Sequence, residues 1–131
     1  MSCRGKVLIV EDNAALARVT QFAFTRAGFD AQIARNGRIA LEAALVESFD
    51  LVISDQQMPE MTGLELCRHL RGLDAYASTP IILLTAKGLE LELERLRAEL
   101  DISAVFAKPF SPSGIVEAAC QFLDAAVASR V

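Results

Sequence analysis

The chain has 131 residues, the size of one domain, and its 53% apolar content is enough to bury a core without metal or disulfide staples. A net charge of -4 argues against broad binding to nucleic-acid phosphates, which requires clustered Lys and Arg. No run approaches the ~18 apolar residues of a membrane span, and MSCRGKVLIVEDN lacks the apolar core of a signal peptide, so a cytoplasmic location is expected.

Two periodicities alternate along the chain. KVLIV (6–10) is short, apolar and rich in β-branched residues, and reads as a buried strand. A helix is expected over 13–27, with Leu16, Val19, Phe22 and Ala23 as its core stripe and Gly28 as its C-terminal cap. DAQIA (30–34) alternates weakly, as an edge strand does. Asn36 then caps a helix carrying Ile39, Ala40, Ala43 and Ala44. LVIS (51–54) is a central strand that ends in Asp55. Thr62 and Glu65 form a T-x-x-E capping box opening a third helix through Leu64, Cys67 and Leu70. IILLT (81–85) is the fourth strand, and Leu89, Leu93, Leu96 and Leu100 mark the next helix. AVFA (104–107) is the fifth strand. Ser111 followed by Pro112 opens a last helix with Ile115, Ala119, Phe122 and Leu123, leaving VASRV as a short tail.

This βαβαβαβαβα order predicts an α/β fold with a doubly wound parallel sheet and right-handed crossovers. One domain over 1–131 is expected, with no output domain in this chain. Cys3, Cys67 and Cys120 contain no C-x-x-C pair and read as free thiols, with Cys67 and Cys120 buried in helical patterns. His69 reads as a solvated helix residue. ELELERLRAEL (90–100) reads as core packing, and a leucine face for dimerisation or docking is its alternative.

Parallel strands end on one edge, where open α/β sheets bind ligands. Glu11 and Asp12 follow the first strand, Asp55 the third and Lys108 the fifth, and Thr85 ends the fourth. Singly, these residues suit a helix cap, a strand end and a solvated turn. Together they form a reactive rim. Carboxylates ~5 Å apart at an effective dielectric of ~20 repel by about 3 kcal/mol per pair. A hard divalent cation resolves this, and Mg²⁺ suits an oxygen site that must keep room for phosphate. Lys108 adds a positive charge and Thr85 a hydroxyl donor. The set suggests phosphoryl transfer to a carboxylate, with Asp55 as the natural nucleophile.

VLIVEDN, DLVISDQQMP with Gly63, PIILLTA and AKPF together resemble the receiver domain of two-component response regulators. The resemblance spans nearly the whole chain. It implies a five-stranded (βα)5 flavodoxin-like fold with strand order 2-1-3-4-5. It implies that Asp55 accepts phosphate from a phosphohistidine, on a sensor histidine kinase or a phosphotransfer protein. Asp12 would bind Mg²⁺ directly, with Mn²⁺ as a substitute, and Glu11 mainly through water. Asp55 and the Gln57 backbone carbonyl complete the metal set. Lys108 would pair with Asp55 or the phosphoryl oxygens, and Thr85 would carry the switch. The resemblance further implies a downstream protein target, with no direct nucleic-acid contact and no membrane insertion, and it allows a homodimer.

The chain departs from the family pattern in several places. Val105 stands where an aromatic residue often precedes the lysine by three, and Phe106, one residue later, is expected on the opposite face of the sheet. Asp101 stands where a glycine is common after the fourth helix. Gln57 and Lys87 occupy variable positions that tune phosphate lifetime in relatives.

Other functions fit less well. Haloacid-dehalogenase-like phosphatases also use Asp, Thr and Lys, but they carry a second Asp two residues after a nucleophile on the first strand. Here Gln57 holds that place and cannot shuttle protons. A nucleotide or flavin module lacks its glycine-rich loop, since EDNAAL follows the first strand. A phosphorylation-independent receiver scaffold is disfavoured by the intact acceptor set. The expectation is a signalling switch and not a turnover enzyme.

Overall fold

A computed structural model describes residues 5–129, with the side chains of residues 91, 92, 96 and 125–129 outside the description. Cys3 and the side chain of Leu96 therefore lie outside the described residues. Five strands, β1 (Lys6–Val10), β2 (Asp30–Ala34), β3 (Leu51–Asp55), β4 (Ile81–Thr85) and β5 (Ala104–Ala107), alternate with five helices. These are α1 (Ala14–Arg26), α2 (Gly37–Val46), α3 (Gly63–Arg71), α4 (Glu90–Leu100) and α5 (Pro112–Ser129). The sheet is parallel, in the order β2-β1-β3-β4-β5. The expected fold and strand order are thus the ones observed.

The sheet separates two apolar layers. Leu8, Val10, Val52, Ile81 and Leu83 face α2, α3 and α4, meeting Ala40, Leu66, Cys67, Leu70 and Leu93. Val7, Ile9, Leu51, Ile53, Ile82 and Leu84 face α1 and α5, meeting Phe24, Ile115 and Ala119. Burial on both faces explains why the central strands are apolar runs without alternation.

Local signals placed most helix ends. Asn13, Asn36 and Thr62 accept the N–H groups of Leu16, Ile39 and Glu65, and Thr62 with Glu65 closes the expected capping box. Gly28, at φ 97°, follows α1 in a Schellman turn. Its N–H bonds Thr25, that of Phe29 bonds Phe24, and the two rings meet edge-on at 5.2 Å.

The expected face of α1 needs correction. Ala17, Thr20 and Phe24 are buried, whereas Val19 and Phe22 are 51% and 63% exposed. The Phe24–Phe29 contact fixes the rotation of the helix, and the Thr20 hydroxyl enters the core because it bonds the Leu16 carbonyl at 3.0 Å. Three smaller corrections follow. Cys120 is partly rather than fully buried, Leu89 precedes α4 and is 40% exposed, and α5 continues through Ser129 into the expected tail. Cys67 is buried as expected, which pushes its thiol up to about 12, and His69 is exposed.

Two devices were not legible locally. Tyr76, in a short 3₁₀ turn (Asp74–Tyr76), is buried. Its hydroxyl lies 2.8 and 2.7 Å from the carbonyls of Ala44 and Glu47 and accepts from the Phe49 N–H. Arg71 donates to the carbonyls of Leu100 (2.8 Å), Tyr76 (2.6 Å) and Asp101 (2.8 Å). Asp101 itself adopts the left-handed conformation, φ 52°, that most favours glycine. Asp tolerates that region better than most residues, and Arg71 satisfies the exposed carbonyls of the corner.

Candidate functional site

Strands β1, β3, β4 and β5 deliver their polar residues to one edge, as the sequence order implies. Glu11 leaves β1 and is 3% exposed, with Asp12 beside it at the surface. Asp55 ends β3 at 2% exposure, and Thr85 ends β4 fully buried. Carboxylate oxygens of Glu11, Asp12 and Asp55 all lie within 4.8 Å of one another.

Lys108 reaches into this cluster from the end of β5. Its Nζ stands 3.1 Å from Asp55 Oδ1 and 3.3 Å from Glu11 Oε1. Asp55 Oδ1 is buried and has no aligned hydrogen bond, so its contact with Lys108 is an ion pair without hydrogen-bond geometry. Burial raises the carboxyl of Asp55, although Lys108 opposes the shift. Glu11 is raised to about 6, first by burial and further by the Asp55 charge, against the pull of the Asn13 N–H and Lys108. Burial works against the Lys108 ammonium, but its close contacts with the negative charges of Asp55 and Glu11 outweigh it and raise its pKa. Among the described residues the cluster sets one cation, Lys108, against three acids, and the buried Asp55 Oδ1 lacks an aligned hydrogen bond. An oxygen-only donor set with unrelieved negative charge fits a hard divalent cation.

The loop behind Asp55 is held in place by Gln56. Its backbone N–H bonds Leu84, its carbonyl accepts from Gly63, and its side-chain Oε1 accepts from Leu64 N–H at 2.8 Å. Gly63 packs directly beneath Asp55 (its Cβ, if present, would lie 2.5 Å from the Asp55 carbonyl oxygen). Met58 tucks into the core while Pro59 turns at the surface. The Gln57 side chain swings to the neighbouring strand, where Nε2 lies 3.1 Å from Thr85 Oγ1 and Oε1 accepts the Ala86 N–H at 3.0 Å. Lys87 is exposed.

Residues 7–120 match the family described as Response regulator receiver domain. The chain belongs to the response regulator receiver family. The chemotaxis protein CheY4 of Vibrio cholerae superposes with a TM-score of 0.84 at 30% identity, over 93% of this chain and 99% of that one. The transcriptional regulatory protein ResD of Bacillus subtilis is 38% identical over 85% of this chain and 45% of its own length. The alkaline phosphatase synthesis regulator PhoP of the same bacterium is 36% identical over 82% of this chain and 43% of its own. This receiver thus spans about half the length of the curated relatives it matches.

Within the receiver frame, the predicted residues Glu11, Asp12, Asp55, Thr85 and Lys108 stand at one edge. Val105 packs toward the α2–α4 layer and Phe106 toward the α1–α5 layer, so the two occupy opposite faces as expected. The positioning roles of Gln56 and of the Gln57 side chain were missed. Both depend on which neighbouring strand the loop meets, and no local pattern records that. Among the described residues no helix is long and apolar enough to cross a membrane.

Proposed function

We propose that this domain is a phosphorylation-dependent signalling switch in which Asp55 is the phosphoryl acceptor. The carrying observation is the convergence of Glu11, Asp12 and Asp55 within 4.8 Å, with Lys108 ion-paired to both buried acids. The donor is a phosphohistidine of a sensor kinase or phosphotransfer protein, and the output is a change in affinity for a protein partner. A net charge of -4 favours a protein partner over nucleic acid for this domain, and the setting is cytoplasmic. The domain acts as a switch and does not turn over a separate substrate.

Asp55 presents a carboxylate oxygen to phosphorus, the new P–O bond forms as the P–N bond of the donor breaks, and the leaving imidazole nitrogen keeps the electron pair. Glu11, Asp12, Asp55 and the Gln57 backbone carbonyl would hold Mg²⁺, or Mn²⁺ in its place. When bound, the ion neutralises the acid cluster and draws charge from the phosphoryl oxygens. Lys108 balances the charge of the acceptor before transfer and of the phosphoryl group after it. The Thr85 hydroxyl and the Ala86 N–H, at the end of the adjacent strand, donate to phosphoryl oxygens once Asp55 is modified.

Incubation with acetyl phosphate and Mg²⁺ should add one phosphoryl group by intact mass. Label should be absent from Asp55→Asn and from protein treated with chelator. Stable labelling of Asp55→Asn at the wild-type level would remove Asp55 from the acceptor role.

A further inference from the structure

The two groups that would donate to a phosphoryl group on Asp55 already have a partner: the Ala86 N–H donates to Gln57 Oε1, and the Thr85 hydroxyl accepts from Gln57 Nε2. Thr85 is fully buried, so its hydroxyl must find a partner inside the protein. The Ala86 N–H follows the end of β4. One side chain meets both. Gln57 places Oε1 3.0 Å from the Ala86 nitrogen and Nε2 3.1 Å from Thr85 Oγ1. The orientation of the amide is fixed by chemistry. Only its oxygen can accept the Ala86 N–H, which turns the NH₂ group toward the hydroxyl.

Asp55 and Leu84 are partners in the β3–β4 register, so Thr85 and Ala86 lie one and two residues beyond the strand position that faces the acceptor. Gln57 lies two residues beyond Asp55 on the other strand. Its side chain therefore bridges the ends of β3 and β4. An amide and a phosphoryl group cannot both satisfy the same N–H.

We infer that the Gln57 side chain is a latch that holds Thr85 and Ala86 in the unphosphorylated arrangement and must release them before Asp55 can keep a phosphoryl group. The inference rests on Asp55 being the acceptor. It makes Gln57 a positioning residue with two separable parts. Its carbonyl belongs to the proposed metal set, and its amide opposes the phosphorylated state. Side-chain substitution tests the second part while leaving the carbonyl in place.

Gln57→Met keeps the reach of the side chain and removes the amide, whereas Gln57→Glu keeps an oxygen for the Ala86 N–H. Amide hydrogen exchange at Ala86 is read first, by NMR, in unphosphorylated protein without added metal. Wild type and Gln57→Glu should protect this exposed amide, and Gln57→Met should speed its exchange roughly tenfold, the equivalent of one net hydrogen bond. Labelling by acetyl phosphate and Mg²⁺ is read second. Gln57→Met should label roughly threefold to tenfold faster than wild type. Unchanged Ala86 exchange in Gln57→Met, or labelling no faster than wild type, overturns the latch while Asp55-dependent labelling of wild type stands. Absence of any Asp55-dependent label in wild type overturns the acceptor reading and the latch with it.

Discussion

Gly63 and Asp55 touch through their backbones: a β-carbon on Gly63 would sit 2.5 Å from the Asp55 carbonyl oxygen and 3.1 Å from Gln56 Cα. The first turn of α3 is thereby pressed against the end of β3, and the Gly63 N–H closes the contact on the Gln56 carbonyl at 3.1 Å. A helix start that looked like ordinary capping is also the floor under the acceptor.

Gly63→Ala should destabilise the domain by about 1–3 kcal/mol, because the obstructing atoms are backbone and cannot rotate aside. Gly114→Ala offers the opposite sign. That glycine is inside α5, and a β-carbon there would meet Ser111 at an ordinary 3.5 Å. Alanine should stabilise by roughly 0.5–1 kcal/mol. Urea unfolding of both variants measures the contrast, and equal effects would show that close approach at Gly63 is relieved elsewhere.

The acid cluster should make metal-free stability depend on pH. Glu11 holds its proton up to about 6 when folded, against an ordinary value of 4.5, because burial disfavours its charge. Between those values the folded state binds more protons than the unfolded chain. Stability therefore falls as pH rises through about 6, by on the order of 1–2 kcal/mol for this group. Asp55 shifts in the same direction. Other carboxylates such as Glu65 and Glu90 are lowered and contribute with the opposite sign, so the quantity to measure is wild type minus Glu11→Gln. That difference should fall between pH 4.5 and pH 7. Added Mg²⁺ should restore it at pH 7 and have little effect at pH 4.5, where protons compete for the carboxylates.

Lys108→Ala should leave Asp55 and Glu11 facing each other without their shared cation, with both carboxyls rising further. Labelling by acetyl phosphate should fall by roughly tenfold or more, on the scale of one lost charge-assisted contact. Lys108→Arg keeps the charge but changes its shape and should recover only part of the rate. Labelling of Lys108→Ala at the wild-type rate would remove the lysine from the reaction.

Arg71→Ala should cost about 2–4 kcal/mol, since three carbonyls lose a charged donor at once. The methylene stem also leaves a partly buried site. Arg71→Lys presents a single ammonium in place of the planar fork and should not fully rescue the urea midpoint. The loss should appear as faster hydrogen exchange around Ile102, where the α4–β5 corner opens first.

The sequence by itself determined the elements and the rim. KVLIV, LVIS and IILLT are apolar on both faces and can only be interior strands, and a parallel sheet then sends Glu11, Asp55, Thr85 and Lys108 to one edge whatever the details of packing. Caps at Asn36 and Thr62 depend on residues three positions apart, so they too were legible. The tertiary structure alone decided the rotation of α1. Val19 and Phe22 offered one apolar stripe and Ala17 and Phe24 another, and only the packing of Phe24 on Phe29 selected between them. It alone decided the reach of Gln57 to Thr85 and of Arg71 to Asp101, contacts 28 and 30 residues apart along the chain. Short-range periodicity reports which faces of an element are apolar, whereas the partner of a long polar side chain is set by which strand ends the fold makes adjacent.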